Sequence, residues 1–180
     1  MVYTFMVAFL LFLFSISALL YNQKHKKFRF AGIPLMKTSN EVMTKTLVCC
    51  LPQDTVEKAA QLMKSGNIGS IPVIENEQTQ KLVGIVTDRD LALKVVAEGR
   101  DAKSTKVDAV MTLNVVTCQP EDDLQKTLDA MSEHQLRRIP VVGNGNKVLG
   151  IISQADVATR INQPEKTAKM VKEISQSNAK

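Results

Sequence analysis

Apolar and polar positions along this chain follow two periods, and the periods alternate. Thr46 to Leu51 is a short apolar run of strand length, broken by Pro52. Asp54 then stands at an N-cap position ahead of Thr55 to Ser65, where Val56, Ala59, Ala60 and Met63 recur at helical spacing. Gly66 is placed to stop that helix. Ser70 to Ile74 predicts a strand, Glu75 to Gln80 a polar loop, and Lys81 to Val86 a partner strand. Asp88 to Ala97 predicts a second helix, ended by Gly99.

The same order then returns. Val115 to Cys118 predicts a strand, Glu121 to Glu133 a helix, Ile139 to Val142 and Val148 to Ile152 two strands, and Ala155 to Asn162 a helix. Asn144-Gly145 is a tight-turn signal between the paired strands. The residues themselves recur. Val42-Met43-Thr44 and Ile71-Pro72-Val73 reappear as Val110-Met111-Thr112 and Ile139-Pro140-Val141, both at an offset of 68. Gly84-Ile85 and Asp90 reappear as Gly150-Ile151 and Asp156 at an offset of 66. Two copies are too few for a solenoid. They predict a pseudo-symmetric pair, with clefts where the copies meet. The boundaries read as 36–100 for the first repeat, 101–163 for the second and 164–180 for a tail. In that tail Ala168, Val171 and Ile174 share a face of a terminal helix with a frayed end.

Residues 1–35 differ in character. Val2 to Leu20 is an apolar run without charge, and 19 residues at helical rise cover about 28 Å, close to a bilayer core. Lys24, Lys26, Lys27 and Arg29 follow it, which by the positive-inside rule puts the repeats on the cytoplasmic side of an N-terminal transmembrane anchor. A cleavable signal peptide fits less well, because the basic n-region is missing. A further alternative stays open: Met36-Lys37-Thr38 has the form of a protein start, and the upstream stretch would then be an extension that the cell does not make. In that case the repeats are simply cytoplasmic.

The charge of the whole chain is +5, from 23 basic and 18 acidic residues. Setting aside the four basic residues before Met36 leaves 19 against 18, so the repeats are electrostatically balanced. That balance and the absence of Trp argue against nucleic acid as a partner. Cys49, Cys50 and Cys118 lack zinc-site spacing and fall in apolar runs, as small buried hydrophobes do. Redox sensing by these thiols is the alternative. No nucleophile–base pair and no metal motif is visible, so the sequence predicts no enzyme.

These features resemble a pair of cystathionine-β-synthase-type (CBS) domains, the Bateman module, in its stand-alone bacterial or archaeal form. The resemblance runs from Met36 to about Ile161. It rests on the Val-Met-Thr openings, the Pro-x-Asp helix starts, the Ile-Pro-Val strands and the Gly-hydrophobic-hydrophobic-Thr/Ser-x-x-Asp segments. It implies an α+β fold of two tandem β-α-β-β-α repeats. It also implies regulatory binding of an adenosyl ligand (AMP, ADP, ATP, S-adenosylmethionine or a dinucleotide), with no cofactor required. Occupancy would be signalled to a regulated partner protein, and the module would form a homodimer. The alternatives are a protein-interaction module with vestigial clefts and a nucleic-acid-binding CBS protein.

Within that resemblance the site residues can be placed. Asp90 and Asp156 each begin a helix after a strand and would accept the ribose hydroxyls. Thr87 and Ser153, three residues earlier, would face the phosphates together with the helix amides. The same four residues also have the spacing of two capping boxes. Arg137 and Arg138 stand where the first repeat has Gly69 and Ser70. The resemblance pairs Thr87 and Asp90 with Arg137 and Arg138 in one cleft, and Ser153 and Asp156 with Gly69 and Ser70 in the other. The expectation is one strong polyphosphate site and one weak or empty site. Arg89 is a further candidate for the phosphates, and Val48 and Val116 for the base slot.

Overall fold

The computed structural model of the protein describes residues 37–161 and 163–176. Among these residues no helix is long and apolar enough to cross a membrane. The anchor expected over residues 2–20 lies outside the described residues.

The fold opens with a short helix α1 (Ser39–Val42), whose N-cap Thr38 forms a capping box with Glu41. The first repeat continues with α2 (Val56–Gly66), β1 (Ser70–Ile74), β2 (Leu82–Thr87) and α3 (Asp88–Leu91). The second repeat has α4 (Leu124–Glu133), β3 (Arg138–Val142), β4 (Val148–Ser153) and α5 (Gln154–Arg160), and α6 (Pro164–Ser175) is the last helix among the described residues. The fold is α+β, and the helix–strand–strand–helix part of the order read from the sequence is present in both repeats.

Local chemistry sets the element ends. Thr55, rather than Asp54, caps α2, its hydroxyl accepting from the Lys58 N–H at 3.2 Å. The Asp54 carboxylate instead accepts from the Leu51 N–H (2.9 Å) and the Lys58 ammonium (2.7 Å), which ties the preceding loop to the helix. Gly66 is the last helical residue, and Asn67 takes the left-handed cap at φ 49°. The helix expected to run to Ala97 stays α-helical only to Leu91, then widens into a π-helical turn over Ala92–Val96.

Each repeat holds an antiparallel hairpin. β1 pairs with β2 from Ser70–Thr87 to Ile74–Leu82, and β3 with β4 from Arg138–Ser153 to Val142–Val148. The same bulge interrupts both, between Val73 and Ile74 and between Val141 and Val142. The strands expected at Thr46–Leu51 and Val115–Cys118 contract to single parallel bridges, Cys50 to Val73 and Cys118 to Val141. Between β3 and β4 the Asn144–Asn146 turn is a 3-10 turn with Gly145 at φ 67°, a conformation open to glycine at no steric cost.

Packing departs from chain order at the repeat openings. Val42 and Met43, which open the first repeat, are buried in the core of the second, among Leu128, Met131, Ile139, Val141, Ile152 and Val157. Val107 and Val110 are buried in the core of the first, among Val56, Ala59, Ile71, Val73 and Val86. Thr44 bridges to Ile151 of β4, and Thr112 bridges to Ile85 of β2. The two repeats thus exchange their opening segments. A third cluster, Ile74, Leu82, Val142 and Val148, joins the far ends of the hairpins. Helix α6 buries Met170 and Ile174 against the second repeat, while Val171 of the expected apolar face stays 38% exposed.

Candidate functional site

The site is built where β2 and β4 run into the helices that follow. At the end of β2 the Thr87 hydroxyl accepts from the Asp90 N–H (3.1 Å) and donates to Asp90 Oδ2 (2.6 Å), which also accepts from the Thr87 N–H (3.0 Å). At the end of β4 Ser153 and Asp156 repeat this geometry, the Asp156 N–H reaching the Ser153 hydroxyl at 3.1 Å. Both are capping boxes. One oxygen of each carboxylate is therefore held by its own cap.

The other oxygens have partners of a different kind. Asp90 Oδ1 pairs with Lys94 at 2.8 Å, and the Lys94 ammonium also donates to the Val110 carbonyl at 2.6 Å. Asp156 Oδ1 accepts from the Thr44 hydroxyl (2.9 Å) and pairs with Arg160 (3.1 Å), whose guanidinium also donates to the Val42 carbonyl (2.6 Å). Each aspartate is thereby wired, through a cation one turn later, to the opening segment that the other copy contributes in sequence. Burial raises the Asp90 carboxyl, but the hydrogen bonds from Lys94 and Thr87 outweigh it and hold the group below its ordinary value.

The amides expected to face phosphates are largely used internally in the first repeat. The Asp88 N–H donates to the Gly69 carbonyl (3.1 Å), the Arg89 N–H to Asp88 Oδ1 (2.8 Å) and the Asp90 N–H to Thr87. Of the three cations expected nearby, Arg138 is the one brought to this turn. Its Nη2 would lie 3.1 Å from a Cβ on Gly69, and Asp88 Oδ2 would lie 2.7 Å from the same point. Arg137 is exposed, and its carbonyl accepts from the Gln154 N–H (3.1 Å) in the second repeat. Arg89 is exposed, without a side-chain hydrogen bond or ion pair among the described residues. Val48 and Val116 are half-buried against the cores of the first and second repeats.

Asp88 is the residue that sequence reasoning passed over. Its type and place were in plain view inside Thr87-Asp88-Arg89-Asp90, but its meeting with Arg138, 50 positions later, is a tertiary fact. A wide groove of about 660 Å³ lies apart from these residues, between α5 and α6, lined by Ala158, Ile161, Pro164, Ala168 and Val171 among others. No group of side chains suited to a metal ion occurs among the described residues.

A paired repeat with these capped aspartates and exchanged openings defines a tandem CBS module. The CBS domain family model matches residues 39–97 and 107–163, and the chain belongs to that family. It is similar to the CBS domain-containing protein YhcV of Bacillus subtilis, at 36% identity over 143 residues that cover 79% of this chain and 99% of that protein. It is 33% identical over 133 residues to the inosine-5'-monophosphate dehydrogenase of Methanocaldococcus jannaschii, covering 74% of this chain but 25% of that enzyme. Among solved structures it resembles the CBS domain pair of protein MJ0100 in complex with 5'-methylthioadenosine and S-adenosyl-L-methionine. There the TM-score is 0.61 and the identity 25%, over 68% of this chain and 94% of that one.

Proposed function

We propose that this CBS pair is a regulatory module that binds an adenosyl ligand between its repeats and passes occupancy to a partner protein. The observation that carries the reading is the placing of Asp90 and Asp156 at matched helix starts, with Arg138 reaching across from the second repeat to the turn after Thr87. Asp90 would accept the ribose hydroxyls, exchanging its Lys94 contact for them, and Arg138 would take an anionic group of the ligand tail. The second cleft, with Ser153, Asp156 and Ser70, has no equivalent of Arg138 and would bind more weakly. The adenosyl complex of the MJ0100 pair supports this ligand class.

The mechanism is a population shift. A ligand that touches Asp90 and Arg138 at once favours the arrangement in which the repeats are close. Its effect is limited by its differential affinity for the two states. Lys94 and Arg160 give the shift a route, because each links a ribose aspartate to an opening segment.

The test is thermal stability of the full chain with AMP, ADP, ATP, S-adenosylmethionine and NAD, beside Asp90→Asn and Arg138→Gln. A ligand at about a hundred times its dissociation constant stabilises by roughly 2.7 kcal/mol, which is readily measured. A shift that both substitutions remove supports the reading. A shift indifferent to both refutes the placement. No shift with any ligand supports the second reading, a protein-interaction module, which one observation favours: the oxygens of both aspartates are already occupied by protein partners.

A further inference from the structure

The meeting of Gly69, Asp88 and Arg138 says more about the ligand than its adenosyl half. Gly69 stands just before β1, and a Cβ there would run into charged side-chain atoms from both repeats. The first repeat brings a carboxylate oxygen and the second repeat a guanidinium nitrogen to this one place, 2.7 and 3.1 Å from where a Cβ would be. Asp88 Oδ1 is taken by the Arg89 N–H, so Oδ2 is the oxygen facing Gly69. The two charges form no ion pair with each other or with any other described residue. They converge on Gly69 without pairing.

The second cleft has no such arrangement. Arg137 replaces Gly69 there, so a side chain occupies the equivalent position, while Gln154 replaces Asp88 and Ser70 replaces Arg138. The backbone frame is the same, since the Arg137 carbonyl accepts from the Gln154 N–H at 3.1 Å as Gly69 does from Asp88. The difference is therefore one of side-chain chemistry alone.

A bare polyphosphate suits this pair of charges poorly. Its oxygens would gain Arg138 but would lie against the exposed Asp88 carboxylate, a like charge that opposes them. A tail with one positive and one negative group satisfies both. We propose that Asp88 and Arg138 are the specificity-determining pair of the first cleft, selecting an adenosyl amino acid over an adenosine polyphosphate. The ligand's ammonium group sits on Asp88 and its carboxylate on Arg138. This rests on the reading that Asp90 holds the ribose in that cleft. It replaces the polyphosphate expected from the arginine pair alone.

The experiment is calorimetric titration of the full chain with S-adenosylmethionine, adenosine and ATP, the last both with EDTA and with Mg²⁺. It is run on the native chain and on Asp88→Asn, Arg138→Gln and Asp90→Asn. The native chain should prefer S-adenosylmethionine to metal-free ATP by about tenfold or more, the scale of one charge-assisted contact. Asp88→Asn should weaken S-adenosylmethionine about tenfold, strengthen metal-free ATP and leave adenosine unchanged. Arg138→Gln should weaken both charged ligands. An unchanged preference in Asp88→Asn overturns the proposal, as does tighter native binding of metal-free ATP. ATP binding that needs both Mg²⁺ and Asp88 overturns it in favour of a metal-bridged phosphate. Binding lost in Asp90→Asn but indifferent to Asp88→Asn leaves the ribose site standing and removes only this inference. No adenosyl binding by the native chain removes both.

Discussion

Thr44 and Asp156 stand 112 positions apart and share a hydrogen bond of 2.9 Å, donated by the threonine hydroxyl to Oδ1 of the carboxylate. The bond joins the opening of the first repeat to the candidate ribose acceptor of the second. Arg160 completes the triangle, donating to the Thr44 hydroxyl at 3.0 Å while pairing with Asp156. Thr44→Val should therefore cost about 1 kcal/mol of stability, the net worth of one such bond. Paired with Arg160→Ala, its effect should be clearly non-additive in a denaturant double-mutant cycle. Additive losses would mean that the three groups do not act as a unit.

The exchanged openings are locked by a methionine against a glycine, twice. A Cβ on Gly84 would lie 2.6 Å from the Met111 sulfur and 3.1 Å from the Thr112 carbonyl, and one on Gly150 would run into Met43. Met43 is buried and has little room to retreat. Gly150→Ala should cost about 1–3 kcal/mol by overpacking, and adding Met43→Ala should return part of that loss. If the double variant loses the full sum of its parts, the contact is not the cause.

Cys50 and Cys118 are buried, and burial pushes their thiols up, Cys50 to about 12 with further contributions from Asp54 and Cys49. Cys49 is half-buried, faces the inter-repeat cluster rather than the core that holds Cys50, and is also raised by burial. A disulfide reagent at neutral pH should label Cys49 slowly and leave the other two silent until the protein unfolds, because the thiolate is the reacting form. Rapid labelling of Cys50 in the native state would restore the redox reading.

Acid should destabilise the module from one direction. Asp54 and Asp90 are raised by burial but lowered more by their hydrogen bonds, and Asp122 is lowered by Lys126 and the Gln119 N–H. A carboxyl lowered in the folded state stabilises the fold above its unfolded value, near about 4, and that contribution is lost as pH falls through the folded value. The melting temperature should be flat from pH 7 to 5 on account of these groups and fall below pH 4. A melting temperature that holds to pH 3 would contradict this.

Leu93 and Val96 are 51% and 78% exposed on the π-helical turn after α3. If the expected homodimer uses this face, Val96→Glu should convert dimer to monomer in sedimentation while leaving the melting temperature of the monomer nearly unchanged. A dimer that persists would move the interface elsewhere.

The repeat, its strand–helix order and both capping boxes were legible from residue types, because each depends on neighbours within a few positions. Thr87 and Asp90 must meet, being one turn apart at the start of a helix. The short strands were over-read for the same reason: Thr46 to Leu51 has a strand's composition but pairs with β1 only at Cys50. The anchor expected over residues 2–20 lies outside the described residues.

Local periodicity determined which faces are apolar, and hence that two copies would bury them together. It carried no information on which copy covers which, because an amphipathic segment fits either core equally well by pattern. That choice is made by shape. Met43 fits beside Gly150 and Met111 beside Gly84, and so each opening lies on the other repeat. The same long-range packing brings Asp88 and Arg138 together at Gly69. Sequence spacing fixes what is near within one helix turn or along one hairpin, whereas charges from two repeats meet only once the cores have closed around them.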